Sequence, residues 1–228
     1  MTRRAAVELA PAVWRIPTSL GNMINSYAFR EPDGTITLVD VGLRWIGARR
    51  IRAGLAAIGA RPGDVGRIVV THAHVDHVGS LARVVADTGA EVVAHEREAP
   101  YLRDGRTPRA VKKKPSRIPA VAVAGQFLDG ALLPVAGGLR VVHTPGHTPG
   151  HVSLLHEPTG VLVTGDALFN VRAISYGLSR FCTDPALNRT SADALGDLDF
   201  EVAAFTHGPE IRVGAREAVR AFLRGRER

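Results

Sequence analysis

The stretch THAHVDH at residues 71–77 constrains this chain most, because it places four metal-binding side chains within six positions. In an extended segment alternate residues point the same way, so His72 and His74 can converge on one ion. Asp76 and His77 follow after the chain has turned and can face a second ion. A polar loop with surface histidines is the other interpretation, but such a loop seldom needs four candidate ligands. Imidazole and carboxylate groups suit zinc, iron or manganese.

Further candidate ligands come after predicted strands in the second half of the chain. Two catalytic ions need about six protein contacts, or fewer groups if a carboxylate bridges them. The additional candidates are His143, His147 and His151 in HTPGHTPGH, Asp166 in TGDALF, and His207 in FTHGPE. The sequence therefore brings enough donors for two ions.

Hydrophobic patterning predicts an α/β chain of short strands mixed with helices. Strands are expected at 12–17, 24–29, 35–42, 67–70, 91–95, 139–144, 152–157, 160–166 and 202–208. Helices are expected at 44–59, 80–89, 185–198 and 213–225. Ser80 is placed at a helix N-cap and Gly89 just past the helix end. Trp14, Trp45 and Phe222 are assigned to the core.

Length and cysteine content limit the number of domains, the possible disulfides and the expected cellular compartment. A chain of 228 residues fits one large domain over 1–228, since α/β domains often reach this size. The single cysteine, Cys182, excludes an internal disulfide framework and a cysteine-based zinc cluster. No secretory signal and no apolar run of about 18 residues is apparent, so a cytoplasmic protein without a membrane span is expected.

Positive charge is concentrated in one stretch. The formal net charge is +7, and residues 103–117 hold seven basic residues against Asp104 alone. The rest of the chain is nearly balanced, which argues against a nucleic-acid-binding face. This irregular loop either forms a lid that attracts anionic substrates or is solvated and mobile. The second interpretation is favoured, because charge runs commonly have no partner.

The motifs together resemble those of the metallo-β-lactamase-fold hydrolase superfamily. THAHVDH, HTPGHTPGH, TGD and THG occur in that order after an earlier LVDVG, and the resemblance runs from about Val13 to Arg224. It implies a four-layer αββα sandwich, in which two β-sheets lie face to face with helices outside.

The resemblance also implies a set of ligands and a cofactor of two divalent ions, with zinc expected and iron or manganese as alternatives. The first ion would be bound by His72, His74 and His147. The second would be bound by Asp76, His77 and His207, and Asp166 would bridge the two. In supporting roles, His143 and His151 would pack or cap, and Asp40 of LVDVG would orient a ligand histidine.

The implied mechanism is hydrolysis of an ester, thioester or lactone-type small molecule. A water shared between two cations loses its proton near neutral pH and attacks the substrate. Asp76 or Asp166 would carry the proton to the leaving group. A nucleophilic side chain is a poorer explanation, since no G-x-S-x-G element occurs and Cys182 has no histidine beside it in sequence.

Departures from the family's sequence patterns narrow the range of candidate substrates. Asp166 at the bridging position argues against antibiotic hydrolysis. Only 21 residues follow His207, which leaves little room for the helical part that holds glutathione in glyoxalase II-type enzymes. Phe169 stands where lactonase-type members carry a tyrosine.

Three other functions stay open at this stage. One is a persulfide dioxygenase-like oxidation at a single iron, and another is phosphodiester hydrolysis. The third is a non-catalytic, metal-stabilised module that binds an acidic partner through residues 103–117. The ligands alone do not exclude the iron-dependent oxidation, whereas the full ligand set argues against the third function, since a structural site is closed by four ligands and does not need seven.

Overall fold

Two β-sheets lie face to face in the computed structural model, which describes residues 5–225. The first sheet has seven strands that are adjacent in chain order: β1 (Val7–Ala10), β2 (Val13–Pro17), β3 (Asn25–Arg30), β4 (Ile36–Val39), β5 (Val65–Val70), β6 (Glu91–His95) and β7 (Gly125–Phe127). Strands β1 to β4 pair antiparallel, and β4 to β7 pair parallel. The parallel half directs the end of β5, and the motif that follows it, to one edge of the sheet.

The second sheet has five strands, and a small separate sheet has two. In chain order the five are β8 (Leu132–Leu133), β9 (Leu139–His143), β10 (Val152–His156), β11 (Val161–Val163) and β14 (Val202–Ala204). The separate pair is β12 (Leu168–Asn170) and β13 (Ile174–Tyr176). Because β9 and β11 both run antiparallel to β10, and β14 runs parallel to β11, the strands β9, β11 and β14 end at the same edge.

Six helices flank the two sheets among residues 5–225. They are α1 (Ile46–Ala57), α2 (Val75–Val78), α3 (Leu81–Thr88), α4 (Ala99–Asp104), α5 (Pro185–Ala192) and α6 (Ala215–Arg224). Apolar side chains of α1 and α3 share one buried cluster with the first sheet, and α6 and the end of α5 share another with the second sheet. The result is the four-layer αββα sandwich that the motifs predicted.

The core between the sheets forms because alternate residues of each strand face opposite sides of the sheet. Tyr27 and Phe29 point toward the second sheet, whereas Ala28 between them faces the helices. On the opposite side, Val141 and Leu154 fill the same buried cluster. One face of each sheet therefore packs on the other sheet, and this contact fixes the two metal-ligand edges relative to each other.

Several details differ from the sequence-based expectations. Trp45 is 80% exposed and is not a core residue, because it precedes α1 in a left-handed turn. The helix expected over 185–198 ends at Ala192 and continues as a 3₁₀ turn over Asp193–Asp197. Gly89 ends α3 with a positive φ, as predicted. Ser80 precedes α3, but its hydroxyl donates to Leu43 O instead of capping the helix.

Among residues 5–225, no helix combines the length and the apolar character needed to cross a membrane.

Truncating Leu154 tests the core between the sheets. Leu154→Ala should lower the free energy of unfolding by about 2–5 kcal/mol, since it leaves a cavity in a fully buried site. Leu132→Ala, in the same sheet but 53% exposed, should change it by less than about 0.5 kcal/mol. Urea denaturation measures both, and equal losses in the two variants would contradict this packing.

Candidate metal centre

All seven predicted ligands meet at one edge of the sandwich, just beyond the ends of four strands. The first sheet contributes one segment after β5, and the second sheet contributes the turns after β9, β11 and β14. In chain order the residues are His72, His74, Asp76 and His77, then His147, Asp166 and His207. Backbone bonding joins the two sheets here, since Val152 N–H donates to Thr71 O at 3.1 Å.

The first cluster of ligand atoms consists of three imidazole nitrogens and one carboxylate oxygen. Nε2 of His72 lies 3.1 Å from Nδ1 of His74, which lies 2.9 Å from Nε2 of His147. Oδ2 of Asp166 lies 3.2 Å from Nε2 of His147. His72 and His147 are buried, and His74 faces a cavity.

The second cluster uses the other oxygen of the same aspartate. Oδ1 of Asp166 lies 3.1 Å from Nε2 of His77 and 3.3 Å from Nε2 of His207. Oδ2 of Asp76 lies 3.4 Å from Nε2 of His207. The structure thus places Asp166 between two clusters, with one carboxylate oxygen toward each.

The donor atoms fit divalent metal ions in spacing and in hydrogen bonding. Tetrahedral zinc with Zn–N bonds of 2.0–2.1 Å separates its ligand atoms by about 3.3 Å, close to the distances in both clusters. His77 Nε2 and Asp166 Oδ1 are fully buried and lie 3.1 Å apart, yet neither forms a hydrogen bond of regular geometry with any residue among 5–225. Buried polar atoms normally have partners, and a cation between these two atoms would satisfy both.

Hydrogen bonds on the far side of the rings hold the second cluster in the required orientation. Nδ1 of His77 lies 2.7 Å from Oδ2 of Asp40, and Nδ1 of His207 lies 2.9 Å from the carbonyl oxygen of Met23. A proton on each Nδ1 leaves the Nε2 lone pair free for a metal. Asp40 also accepts from the backbone and hydroxyl of Thr71. It lies where the sequence predicted, with a left-handed φ of 56°.

Burial and neighbouring charges set the protonation of the cluster. Burial lowers the pKa of His72 well below its usual range and that of His74 to about 3. These rings are therefore neutral, as metal ligands must be. Burial also opposes ionisation of Asp166, yet His207, His77 and His147 hold its pKa well below the ordinary value. The carboxylate is the form that binds a cation.

Two histidines next to the site support it rather than face it. His151 Nε2 accepts the Asp166 backbone N–H at 2.8 Å, and its Nδ1 donates to Thr144 O at 3.0 Å, so neither nitrogen is free for a metal. His143 stacks on His95 with ring centroids 4.3 Å apart. Both His143 and His151 therefore have the supporting positions that the sequence analysis gave them.

Asn25 and Cys182 support the site in ways that sequence reasoning missed. The Asn25 side-chain amide donates to three backbone carbonyls of the turn that carries His207, those of Phe205, Thr206 and Gly208. Cys182 Sγ lies 3.5 Å from Nδ1 of His147, although the two residues are 35 positions apart. Burial raises the pKa of this thiol to about 12, so it supports the ring and is no nucleophile.

Glu98 links the two segments that carry the first cluster. Its side chain is fully buried, and its two oxygens accept backbone N–H groups from Ala73 and Gly150, each at 2.8 Å. Ala73 lies between His72 and His74, and Gly150 lies in the turn after His147. Burial raises the pKa of Glu98 to about 7, against these two hydrogen bonds, which favour the ionised form. No sequence signal marks Glu98, since only the fold brings its partners together.

A cavity of about 620 Å³ opens onto both clusters. His74, Asp76, His147, Asp166 and His207 all contribute to its wall. Apolar residues form much of the remaining surface, and part of the basic loop reaches its rim. A small molecule that enters this cavity meets the metal-ligand atoms directly.

Comparison with known proteins shows the family of the chain. A model of the family described as the metallo-beta-lactamase superfamily matches residues 20–207. The probable metallo-hydrolase YybB of Bacillus subtilis is 27% identical over 189 residues, which is 82% of each chain. A hydroxyacylglutathione hydrolase of Pseudomonas aeruginosa is 31% identical over 176 residues, and the match spans 71% of this chain but only 60% of that relative.

Solved structures share the architecture. A metallo-beta-lactamase family protein from Thermus thermophilus superposes with a TM-score of 0.74 and 27% identity, covering 96% of this chain and 81% of that one. A metallo-beta-lactamase from Cronobacter sakazakii superposes with a TM-score of 0.76 over 97% of this chain and 95% of that one. At 24% identity the second likeness shows the fold alone.

Removing the Glu98 carboxylate should loosen the first cluster without touching a ligand. Glu98→Ala leaves two buried N–H groups unpaired, and each should lower the free energy of unfolding by about 1–3 kcal/mol. It should also weaken Zn²⁺ binding by roughly 10–100-fold, as the loss of supporting groups does at metal sites. Competition with a chelating indicator measures the affinity, and Glu96→Ala, at an exposed position nearby, is the control. Unchanged Zn²⁺ affinity in folded Glu98→Ala protein would contradict the role given to Glu98.

Proposed function

The chain belongs to the metallo-beta-lactamase superfamily, and on that premise we propose that it is a hydrolase with a two-metal centre. Its substrate would be a small molecule with an ester, thioester or lactone-type bond. Named relatives are metallo-hydrolases and hydroxyacylglutathione hydrolases, which supports hydrolysis as the reaction class and thioesters among the candidate bonds. The two ions would be zinc, with iron or manganese as alternatives.

The observation that carries this proposal is the position of Asp166 between two sets of imidazoles. Its Oδ2 faces His147 and its Oδ1 faces His77 and His207. A structural zinc site is closed by four ligands, whereas seven donors in two sets suit a pair of ions with open positions. This favours a catalytic centre over a metal-stabilised binding module.

When bound, a pair of divalent cations would lower the pKa of a shared water and polarise the substrate's electrophilic carbonyl. His72, His74 and His147 would hold one cation, and Asp76, His77 and His207 the other. Asp166 would keep the two at a fixed separation. The hydrogen bonds from Asp40 and Met23 orient His77 and His207 before any substrate arrives.

Proton transfer to the leaving group is the task proposed for a carboxylate of the centre. Asp76 is the better placed of the two, because its side chain is 27% exposed and lines the cavity, whereas that of Asp166 is 5% exposed. Burial would raise the pKa of Asp76, but His207 and His77 lower it to about 2. Asp76 is therefore ionised and able to accept a proton.

The shape of the cavity favours a small acyl substrate. At about 620 Å³ it lies within the range of small-molecule sites. Phe169 lines it with its ring centroid 4.3 Å from that of His207. At this position the chain offers an apolar surface and no hydroxyl group that could donate a hydrogen bond to the substrate's carbonyl oxygen. The negative charge that develops on this oxygen would therefore be stabilised by the metal centre.

Metal analysis tests the two-metal centre. Protein purified without added metal and then loaded with Zn²⁺ should hold two ions per chain, and Asp166→Ala should hold fewer. For the best substrate, the kcat/KM of Asp166→Ala should be lower than that of the wild type by more than roughly 10–100-fold, which is the loss typical of residues that only support a metal ligand. Asp33→Ala, at an exposed turn, should match the wild type. A single tightly held iron with no second ion, or full activity in Asp166→Ala, would contradict the proposal.

A substrate panel tests the reaction class. Aryl esters, acyl thioesters and lactones should be hydrolysed faster than a phosphodiester or a β-lactam, because the apolar cavity suits an acyl chain. Hydrolysis is followed by chromophore or thiol release, with chelator-treated protein as the blank. If the phosphodiester were cleaved faster than the esters, thioesters and lactones, the enzyme would be a phosphodiesterase and the proposed reaction class would be wrong.

A further inference from the structure

The basic stretch predicted as a loop over 103–117 begins inside α4, which ends at Asp104, and its remaining residues, 105–117, are held in place by backbone hydrogen bonds. Thr107 N–H donates to Ser116 O at 2.9 Å, and Ala110 and Lys113 exchange two backbone bonds of 3.1 and 3.3 Å. At the tip, Val111 N–H donates to Cys182 O at 2.8 Å, which ties the loop to the segment beside His147. This bonding argues against the solvated, mobile loop that charge alone favours.

Two of the loop's basic residues reach the cavity. Lys113 and Lys114 line it, together with Thr107 and Ser116 of the same loop. The Lys113 ammonium lies 4.7 Å from the ring centroid of Phe181, another residue of the cavity wall, in a cation–π contact. All three lysines at 112–114 are exposed, but Lys112 does not line the cavity. Adjacent lysines of one loop therefore differ in position relative to the site.

The charges of these two lysines are unbalanced locally. Among residues 5–225, neither Lys113 nor Lys114 forms an ion pair with a carboxylate. The carboxylates of the cavity wall are Asp76 and Asp166, and both belong to the metal centre. A basic pair at the rim of a cavity attracts anions, since a low-dielectric wall focuses its field.

The rest of the cavity wall is apolar and partly open to solvent. Met23, Val75, Val171 and Leu178 are each 40–46% exposed, and all four line this cavity. Exposed apolar side chains grouped around one opening mark a binding surface. They would be covered by an apolar part of a ligand, such as an acyl chain.

From these two surfaces we infer that the substrate is amphipathic, with an apolar acyl chain and an anionic headgroup bound by Lys113 and Lys114. The headgroup is a carboxylate, phosphate or sulfonate, the classes that an ammonium pair recognises. This inference rests on the proposed hydrolase function, which places the scissile bond at the metal centre. The loop would then choose substrates by charge while the metal centre performs the reaction.

A matched pair of esters tests the charge preference. 4-Nitrophenyl hexanoate and the mono-4-nitrophenyl ester of adipic acid have six-carbon acyl chains and differ in a terminal carboxylate. The wild type should favour the adipate ester in kcat/KM. In K113Q/K114Q, the KM for the adipate ester should rise by about tenfold, a modest value for two partly exposed charge pairs. Both kinetic constants for the hexanoate ester should stay unchanged.

Two further variants complete this comparison. K112Q, which removes one positive charge from the same loop, should behave as the wild type, and K113R/K114R should retain the preference for the adipate ester. Equal losses on both esters in K113Q/K114Q, or the same effect from K112Q, would overturn the inference. Unchanged thermal melting of all variants shows that the loop substitutions leave the fold intact.

A binding measurement separates this inference from the hydrolase proposal. 8-Anilinonaphthalene-1-sulfonate, which joins an apolar ring system to an anion, should bind wild type and K112Q equally. It should bind K113Q/K114Q about tenfold more weakly by fluorescence titration. An equal Kd in all three proteins would overturn the anion site whatever the activity. If K113Q/K114Q loses dye binding and the zinc-loaded wild type hydrolyses none of the esters, the anion site at Lys113 and Lys114 is supported and the hydrolase proposal is rejected.

Discussion

The carboxylate of Asp166 is the interaction on which the centre depends. A buried carboxylate is costly unless it is paired, and here histidines surround both oxygens. Its backbone is fixed as well, because Asp166 N–H donates to His151. That bond requires Gly165, with φ of 54°, since a Cβ there would lie 2.5 Å from His151 Nε2. The local chain is thus shaped to present one aspartate to two groups of imidazoles.

The centre also depends on the contact between the sheets. The first sheet brings the segment with His72, His74, Asp76 and His77, and the second sheet brings the other three donors. Glu98 and Asn25 bond across this boundary to the turns near His147 and His207. We therefore expect metal affinity and core packing to be coupled, since loosening one sheet against the other separates donors that lie about 3 Å apart.

The His/Asp motifs were sufficient to indicate the family, and the resemblance implied the four-layer architecture and the seven donors that meet. Strand periodicity alone predicted only a mixture of short strands and helices. The sequence was insufficient for Glu98, whose partners Ala73 and Gly150 are distant in sequence, and for Cys182, which approaches His147 only in the fold. Trp45 was misassigned to the core because an apolar residue at helical spacing does not reveal the turn before α1. Charge alone also failed to show that Lys113 and Lys114, but not Lys112, reach the cavity.

Anomalous diffraction from zinc-loaded crystals would locate the ions of the two-metal centre. We expect two peaks about 3.5–4 Å apart, one against His72, His74 and His147 and the other against Asp76, His77 and His207. Asp166 should contact both. A single peak with Asp166 turned away from it, or a second ion bound outside these residues, would contradict a two-metal centre bridged by Asp166.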